Sequence, residues 1–195
     1  MITAFVLGNG VSRQPIDLKL LQQKGKIYGC NALYREFTPD VLVSTDRPIA
    51  THIQETGYAL ANKFYTRKPL ENTGALSVPA PYHGYSSGPI ALALAAQAGH
   101  QYVYLLGFDM GPNQNQKINN LYAGTEFYKS PDSPPTFTGN WLKQICSIIK
   151  DYPGTVFTRI AGPTTARIPD LEALTNLHHE DLLRFQNRIN TKTDL

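Results

Sequence analysis

The residues of this chain best suited to chemistry stand at the ends of its apolar runs. Val6-Leu7 leads into Gly8-Asn9-Gly10-Val11-Ser12, two glycines around an amide side chain, closed by a hydroxyl. Glycines so placed suit a turn in which the backbone takes positive φ and a phosphate or nucleotide approaches closely. Neither standard phosphate motif is complete. Arg13 stands where the dinucleotide fingerprint wants its third glycine, and no Gly-Lys-Ser/Thr follows. Taken alone, the turn reads equally well as a tight strand-to-helix connection with no ligand.

Other functional groups occupy comparable places. Asn31 follows Gly29-Cys30, Asp46 ends the run Val41 to Thr45, and Asp109 follows Leu105-Leu106-Gly107-Phe108. Ser86-Ser87-Gly88 precedes an alanine-rich segment, so its hydroxyls would sit at a helix start, where free amides and the helix dipole attract anions. A carboxylate pair such as Asp46 and Asp109 could hold Mg²⁺ on a nucleotide's phosphates, although no closely spaced carboxylate motif is present, and no dedicated metal site is expected. His83, just before that helix start, is a candidate acid or base, as is Asp109. Each residue also has a structural reading: Asn31 and Ser87 as helix caps, Asp46 as a turn residue, Asp109 as a partner of its own loop, His83 as a surface side chain.

Elements that would position these groups follow from the hydrophobic pattern. Ile2 to Leu7, Lys26 to Gly29, Val41 to Thr45, Tyr102 to Leu106 and Thr155 to Ile160 read as strands, several of them continuous enough to be buried on both faces. Asp17 to Gly25 carries a helix start and a glycine stop, and Pro48 to Leu60 reads as one helix. Ser86 to Gly99 has the start, body and stop of a buried helix, and Thr138 to Tyr152 places Trp141, Leu142, Ile145, Ile148 and Ile149 on an apolar stripe. Alternating strands and helices predict an α/β fold: a single Rossmann-like three-layer domain over residues 1–195, with a mostly parallel sheet. Residues 110–136, rich in Gly, Pro, Asn and Ser, form a long connection of the kind that serves as a lid. A C-terminal amphipathic helix is expected over residues 178–190, headed by His178-His179.

Composition narrows the class. With 195 residues, 42% of them hydrophobic and 17% charged, the chain can bury one good core. Cys30 and Cys146 are too few for a disulfide scaffold or an unaided thiolate zinc site. A net charge of +3 is too mild for a nucleic-acid surface but suits acidic small molecules. The densest basic patch, Lys63, Arg67 and Lys68 around Phe64-Tyr65, reads as a solvated edge strand whose cations block pairing. With no signal peptide or membrane span, a cytoplasmic location is expected.

In order and spacing, Val6-Leu7-Gly8-Asn9-Gly10-Val11-Ser12, Gly29-Cys30-Asn31, Ser86-Ser87-Gly88 and Tyr104-Leu105-Leu106-Gly107-Phe108-Asp109 resemble the successive motifs of the bacterial lipooligosaccharide sialyltransferases. The related motility accessory factors and archaeal 6-hydroxymethyl-dihydropterin pyrophosphokinases share this skeleton, and Asp46 after Pro-Asp-Val-Leu-Val is more similar to that branch. The likeness covers roughly residues 2–125. It implies a cytidine monophosphate type of donor held by Gly8, Asn9, Gly10, Ser12, Asn31, Ser87 and Gly88, with Asp46 beside them and Tyr122 as one of two lid tyrosines. The other tyrosine position, just after Asp109, is taken by Met110 or Gly111. No histidine occurs between His100 and His178, where the sialyltransferases carry their catalytic one.

The expectation is therefore a transferase using a nucleotide or nucleotide-sugar, with CMP-type donors favoured and the family's catalytic base missing. A non-catalytic nucleotide-binding or assembly module and a Mg-dependent ATP pyrophosphokinase are the alternatives. The nucleobase, sugar, acceptor and any homo-oligomer are not written in the sequence.

Overall fold

A computed structural model describes residues 2–191. Eight strands form one sheet: β1 (Thr3–Leu7), β2 (Lys26–Cys30), β3 (Val41–Val43), β4 (Phe64–Thr66), β5 (Leu76–Ser77), β6 (Tyr102–Leu106), β7 (Val156–Ala161) and β8 (Leu177–Asp181). Their order is β5-β4-β3-β2-β1-β6-β7-β8, and every neighbouring pair is parallel. The helices are α1 (Leu18–Gln22), α2 (Arg47–Glu55), α3 (Tyr58–Ala61), α4 (Ser87–Gln97), α5 (Gly139–Asp151), α6 (Pro169–Glu172) and α7 (Leu182–Asn190). This is a Rossmann-like three-layer α/β domain.

Strand periodicity builds the layers. Ala4 and Val6 of β1, with Val103 and Leu105 of β6, face a core shared with α4, α5 and α6. Phe5 and Leu7, with Tyr104 and Leu106, face the opposite core, filled from α1, α2 and α7. Both faces of the central strands are thus covered, which is why they read as continuous apolar runs. In α4, Ile90 to Ala96 are buried around the whole circumference. Alanines at 91, 93, 95 and 96 keep that helix thin enough to lie between the sheet and α5.

Successive strands β1 to β5 step outward in one direction. The chain then returns through α4 to β6, on the other side of β1, and continues outward to β8. The order reverses between β1 and β6, and a crevice opens at such a reversal, outside the carboxyl ends of the strands.

Several sequence expectations change. The sheet is wholly parallel. The predicted helix over Pro48 to Leu60 is two helices, broken at Gly57, whose φ of 76° belongs to the left-handed region. β4 is not an edge: it pairs with β3 on one side and the short β5 on the other, and Phe64 and Thr66 are buried. His178 and His179 lie on β8, and the terminal helix begins only at Leu182. Asp181 caps it, accepting from the amides of Leu183 and Arg184. α1 stops at Gln22, capped by Gln23, and Gly25 beyond it has no positive φ; a Cβ there would stand 2.7 Å from the Thr3 carbonyl oxygen.

Candidate functional site

At the reversal point the turns after β1 and β6 lie directly against each other. The Gly8 amide donates to the Leu106 carbonyl at 2.8 Å, and the Gly10 amide to the Gly107 carbonyl at 2.9 Å. A Cβ at either Gly8 or Gly10 would stand 2.6 Å from the Gly107 oxygen. Gly107 itself has φ 72°. The glycines of Gly-Asn-Gly therefore answer to a backbone-to-backbone contact; neither has a positive φ, and Gly10 is extended at φ −62°, ψ 144°.

Above this contact lies a cavity of about 620 Å³, within the usual size range of small-molecule sites. It gathers Gly8, Asn9, Gly10, Asn31, Asp46, Ser87, Gly88 and Asp109 from separate stretches of sequence. Three helices begin at its wall: α2 after Asp46, α4 at Ser87 and α5 after Thr138. Each start carries amides without intrahelical partners and the positive end of a helix dipole, so the cavity is biased towards anions. Arg47 and Lys129 add exposed cations to its lining.

The polar groups differ in how committed they are. Asn31 adopts φ 52°, a left-handed conformation that asparagine tolerates, and its Oδ1 accepts from Ser44 Oγ at 3.0 Å. Ser87 Oγ is buried and engaged with the amide and hydroxyl of Thr45, both at 3.0 Å, so it ties α4 to the end of β3. Asp46 stands at the N-cap of α2, yet its side chain makes no capping bond and is exposed. Cys30 is buried, and desolvation pushes its thiol up to about 12 against the opposing pull of Arg13. It is a protonated wall group, not a nucleophile.

Asp109 is 3% exposed and saturated with donors. Its carboxylate accepts from the Ser12 amide at 3.1 Å, Asn119 Nδ2 at 3.1 Å, Thr164 Oγ1 at 2.8 Å, Thr165 Oγ1 at 3.2 Å, and the Ser12 hydroxyl. Such a group is a clamp joining the β1 turn, the long connection and the loop after β7; it has no lone pair left for an acceptor's proton. Beneath it, the guanidinium of buried Arg159 donates to the carbonyls of Phe108, Asp109 and Ala166 at 2.9, 3.1 and 2.8 Å. Burial draws its pKa down to about 10, which leaves it charged at neutral pH. Ser12 thus serves the clamp and does not line the cavity.

Residues 110–138 close over the site and are bolted to it. The Leu121 amide donates to the Asn9 carbonyl at 2.8 Å, and Asn119 Oδ1 accepts from the Val11 amide at 2.9 Å. Tyr122 is buried below the cavity: its hydroxyl accepts from Arg13 Nη2 at 2.7 Å and donates to Glu36 Oε1 at 2.5 Å. The tyrosine that lines the cavity is Tyr128, whose hydroxyl accepts from the Ala32 amide at 3.3 Å and from Asn9 Nδ2 at 3.5 Å. Nothing in their spacing distinguishes the two tyrosines; only the fold of the connection does. His83 lies outside the cavity, exposed, with Nε2 2.7 Å from the Val78 carbonyl. No histidine lines the cavity, and no group of three or more His, Cys, Asp or Glu placed to hold a metal ion occurs among the described residues. Asp46 is the one carboxylate in the lining that is not engaged as a clamp. Arg47, Lys129 and Trp141, which the sequence reading left outside the site, also line it, as does Phe108. No helix among the described residues is long and apolar enough to cross a membrane.

No family model matches this chain, and neither a curated protein nor a solved structure does.

Proposed function

We propose that this chain binds a nucleotide or nucleotide-sugar at the β1/β6 crevice and acts as a transferase on it. The observation that carries this reading is the convergence of three helix starts, Asn9, Asn31 and two cations on one cavity at the point where strand order reverses. The phosphates take the amides of the Ser87-Gly88 turn, and Asn9 and Asn31 offer amide groups to the sugar or phosphate. Asp46, the available carboxylate, takes the acceptor's proton, the role left open by the clamped Asp109 and the distant His83. The sequence resemblance to the sialyltransferases supports a CMP-type donor.

Asp109's saturation favours a second reading, a nucleotide-binding module without turnover. A thermal-shift panel of nucleotides and nucleotide-sugars, with and without Mg²⁺, tests the shared premise: at ligand concentrations about 100-fold above Kd, stabilisation of roughly 2.7 kcal/mol is expected, and no response to any member rejects both readings. Release of free nucleotide from a nucleotide-sugar separates them. In the transferase, Asp46→Asn keeps the thermal shift and loses on the order of 100-fold or more in turnover. A shift that requires Mg²⁺ and vanishes in Asp46→Asn points to phosphoryl chemistry instead.

A further inference from the structure

We propose that the part of the cavity between the starts of α4 and α5 is a slot for the nucleobase, with the indole of Trp141 stacked on the ring. This rests on the nucleotide reading above and specifies which portion of the ligand goes where.

Trp141 and Ile145 lie one helical turn apart on α5 and both line the cavity, whereas Ile148 and Ile149 of the same helix are fully buried in the core. Phe108 and Met110, from the loop after β6, contribute buried apolar side chains to the same lining. Gly88, in the first turn of α4, lies beside Phe108: a Cβ there would meet the Phe108 ring at an ordinary 3.6 Å. The two helix starts are fixed to each other, because the Ser86 amide donates to Gln144 Oε1 at 2.8 Å. The slot is therefore preformed.

Its chemistry differs from the rest of the cavity. Of the charged lining residues, Asp46, Arg47 and Lys129 come from the start of α2 and from the long connection, and Asp109 is saturated by its own donors, whereas the start of α5 contributes only Thr138, Trp141 and Ile145. The hydroxyls of Thr136 and Thr138 supply hydrogen-bonding groups beside the apolar wall. Apolar faces with a polar edge describe a flat heteroaromatic ring. A sugar could lay a C–H face on Trp141, but its rim of hydroxyls would then meet the apolar side chains of Ile145, Phe108 and Met110, which offer no hydrogen bond. With the ring in this slot, the sugar and phosphate run towards Asn9, Asn31 and the Ser87-Gly88 turn.

Trp141 is the sole tryptophan of the chain, so fluorescence excited on the red edge of the indole band, where the tyrosines do not absorb, reports on this slot. CMP, UMP, AMP, GMP and ribose 5-phosphate would be titrated into the wild-type chain, with fluorescence and thermal shift read in parallel. At least one nucleotide should quench the fluorescence and raise the melting temperature with the same half-saturation. Ribose 5-phosphate, lacking the ring, should bind at least about ten-fold more weakly and leave the fluorescence unchanged. Trp141→Ala should weaken nucleotide binding on the order of ten-fold or more, and Trp141→Phe by less. A nucleotide that stabilises the wild-type chain without altering its fluorescence overturns the slot while leaving the nucleotide reading intact, whether or not Trp141→Ala folds. If no member of the panel raises the melting temperature, the slot falls, and the nucleotide reading falls with it when nucleotide-sugars give no shift either.

Discussion

At Gly10 an added methyl would have to share space with the Asp109 carboxyl carbon and the Gly107 carbonyl oxygen, each 2.6 Å from where the Cβ would stand. Neither neighbour can yield, because one is clamped by its donors and the other is backbone. Gly10→Ala should therefore cost about 1–3 kcal/mol, as overpacking does, whereas Gly88→Ala, with only ordinary contact to Phe108, should change stability by less than about 1 kcal/mol. Urea denaturation of the pair checks this; equal effects would show that the turn-to-turn contact does not restrict position 10. The glycines were legible in the sequence, but the reason for them was not. A Gly-x-Gly reads as room for a ligand, and only the register that brings β1 beside β6 reveals that another turn fills the space. Asp109 was legible as a strand-end carboxylate, but its donors were not, since they come from residues 12, 119, 164 and 165.

The long connection after β6 is held as an element by contacts to three separate parts of the chain. Arg13 is buried, donates through Nε to the Gly8 carbonyl at 2.7 Å, and reaches Tyr122 and Glu36 through Nη2. Arg35 holds Thr125 and the Glu126 carbonyl at 2.9 and 3.0 Å. Charge-assisted bonds of this kind contribute roughly 1.5–3 kcal/mol each when buried, and little when exposed, so the Arg13 set dominates. Tyr122→Phe removes two bonds of that set without removing the ring. Amide exchange over residues 119–128 should then speed up on the order of ten-fold, read by hydrogen-exchange mass spectrometry; unchanged exchange would show that the latch lies elsewhere. Sequence pattern identified this connection by its length and polarity. Its anchoring was not visible there, because it joins positions about a hundred residues apart. The same limit explains β8: five residues with one buried apolar side chain, Leu177, carry too little periodicity to be told from the start of the following helix.

Across the whole molecule, burial sets the alkaline limit of stability. Cys30 is pushed from its ordinary 9.0 to about 12, and Tyr28 and Tyr58 from 10.0 to about 12, in each case chiefly by desolvation. These groups keep their protons in the fold at pH values where the unfolded chain releases them. Their contribution is complete below pH 9 and is lost progressively as pH rises towards 12. Urea midpoints should be level between pH 7 and 8.5 and fall steeply from 9.5 to 10.5; a flat profile would mean that these groups become solvated without unfolding. Fold class and the gathering of strand ends were legible because both depend on local periodicity and on the handedness of crossovers. Which side chains of the crevice remain free for a ligand was not, since that depends on partners distant in sequence. The contact between the Gly8-Gly10 and Gly107 turns has a practical consequence for redesign. The floor of the cavity is main chain on main chain, so no library of side chains placed there can reshape it without dismantling the sheet. Fitting this cavity to a chosen ligand has to proceed through its walls and rim, at the exposed Asp46, Arg47 and Lys129, where each position can be varied while the scaffold stays unchanged.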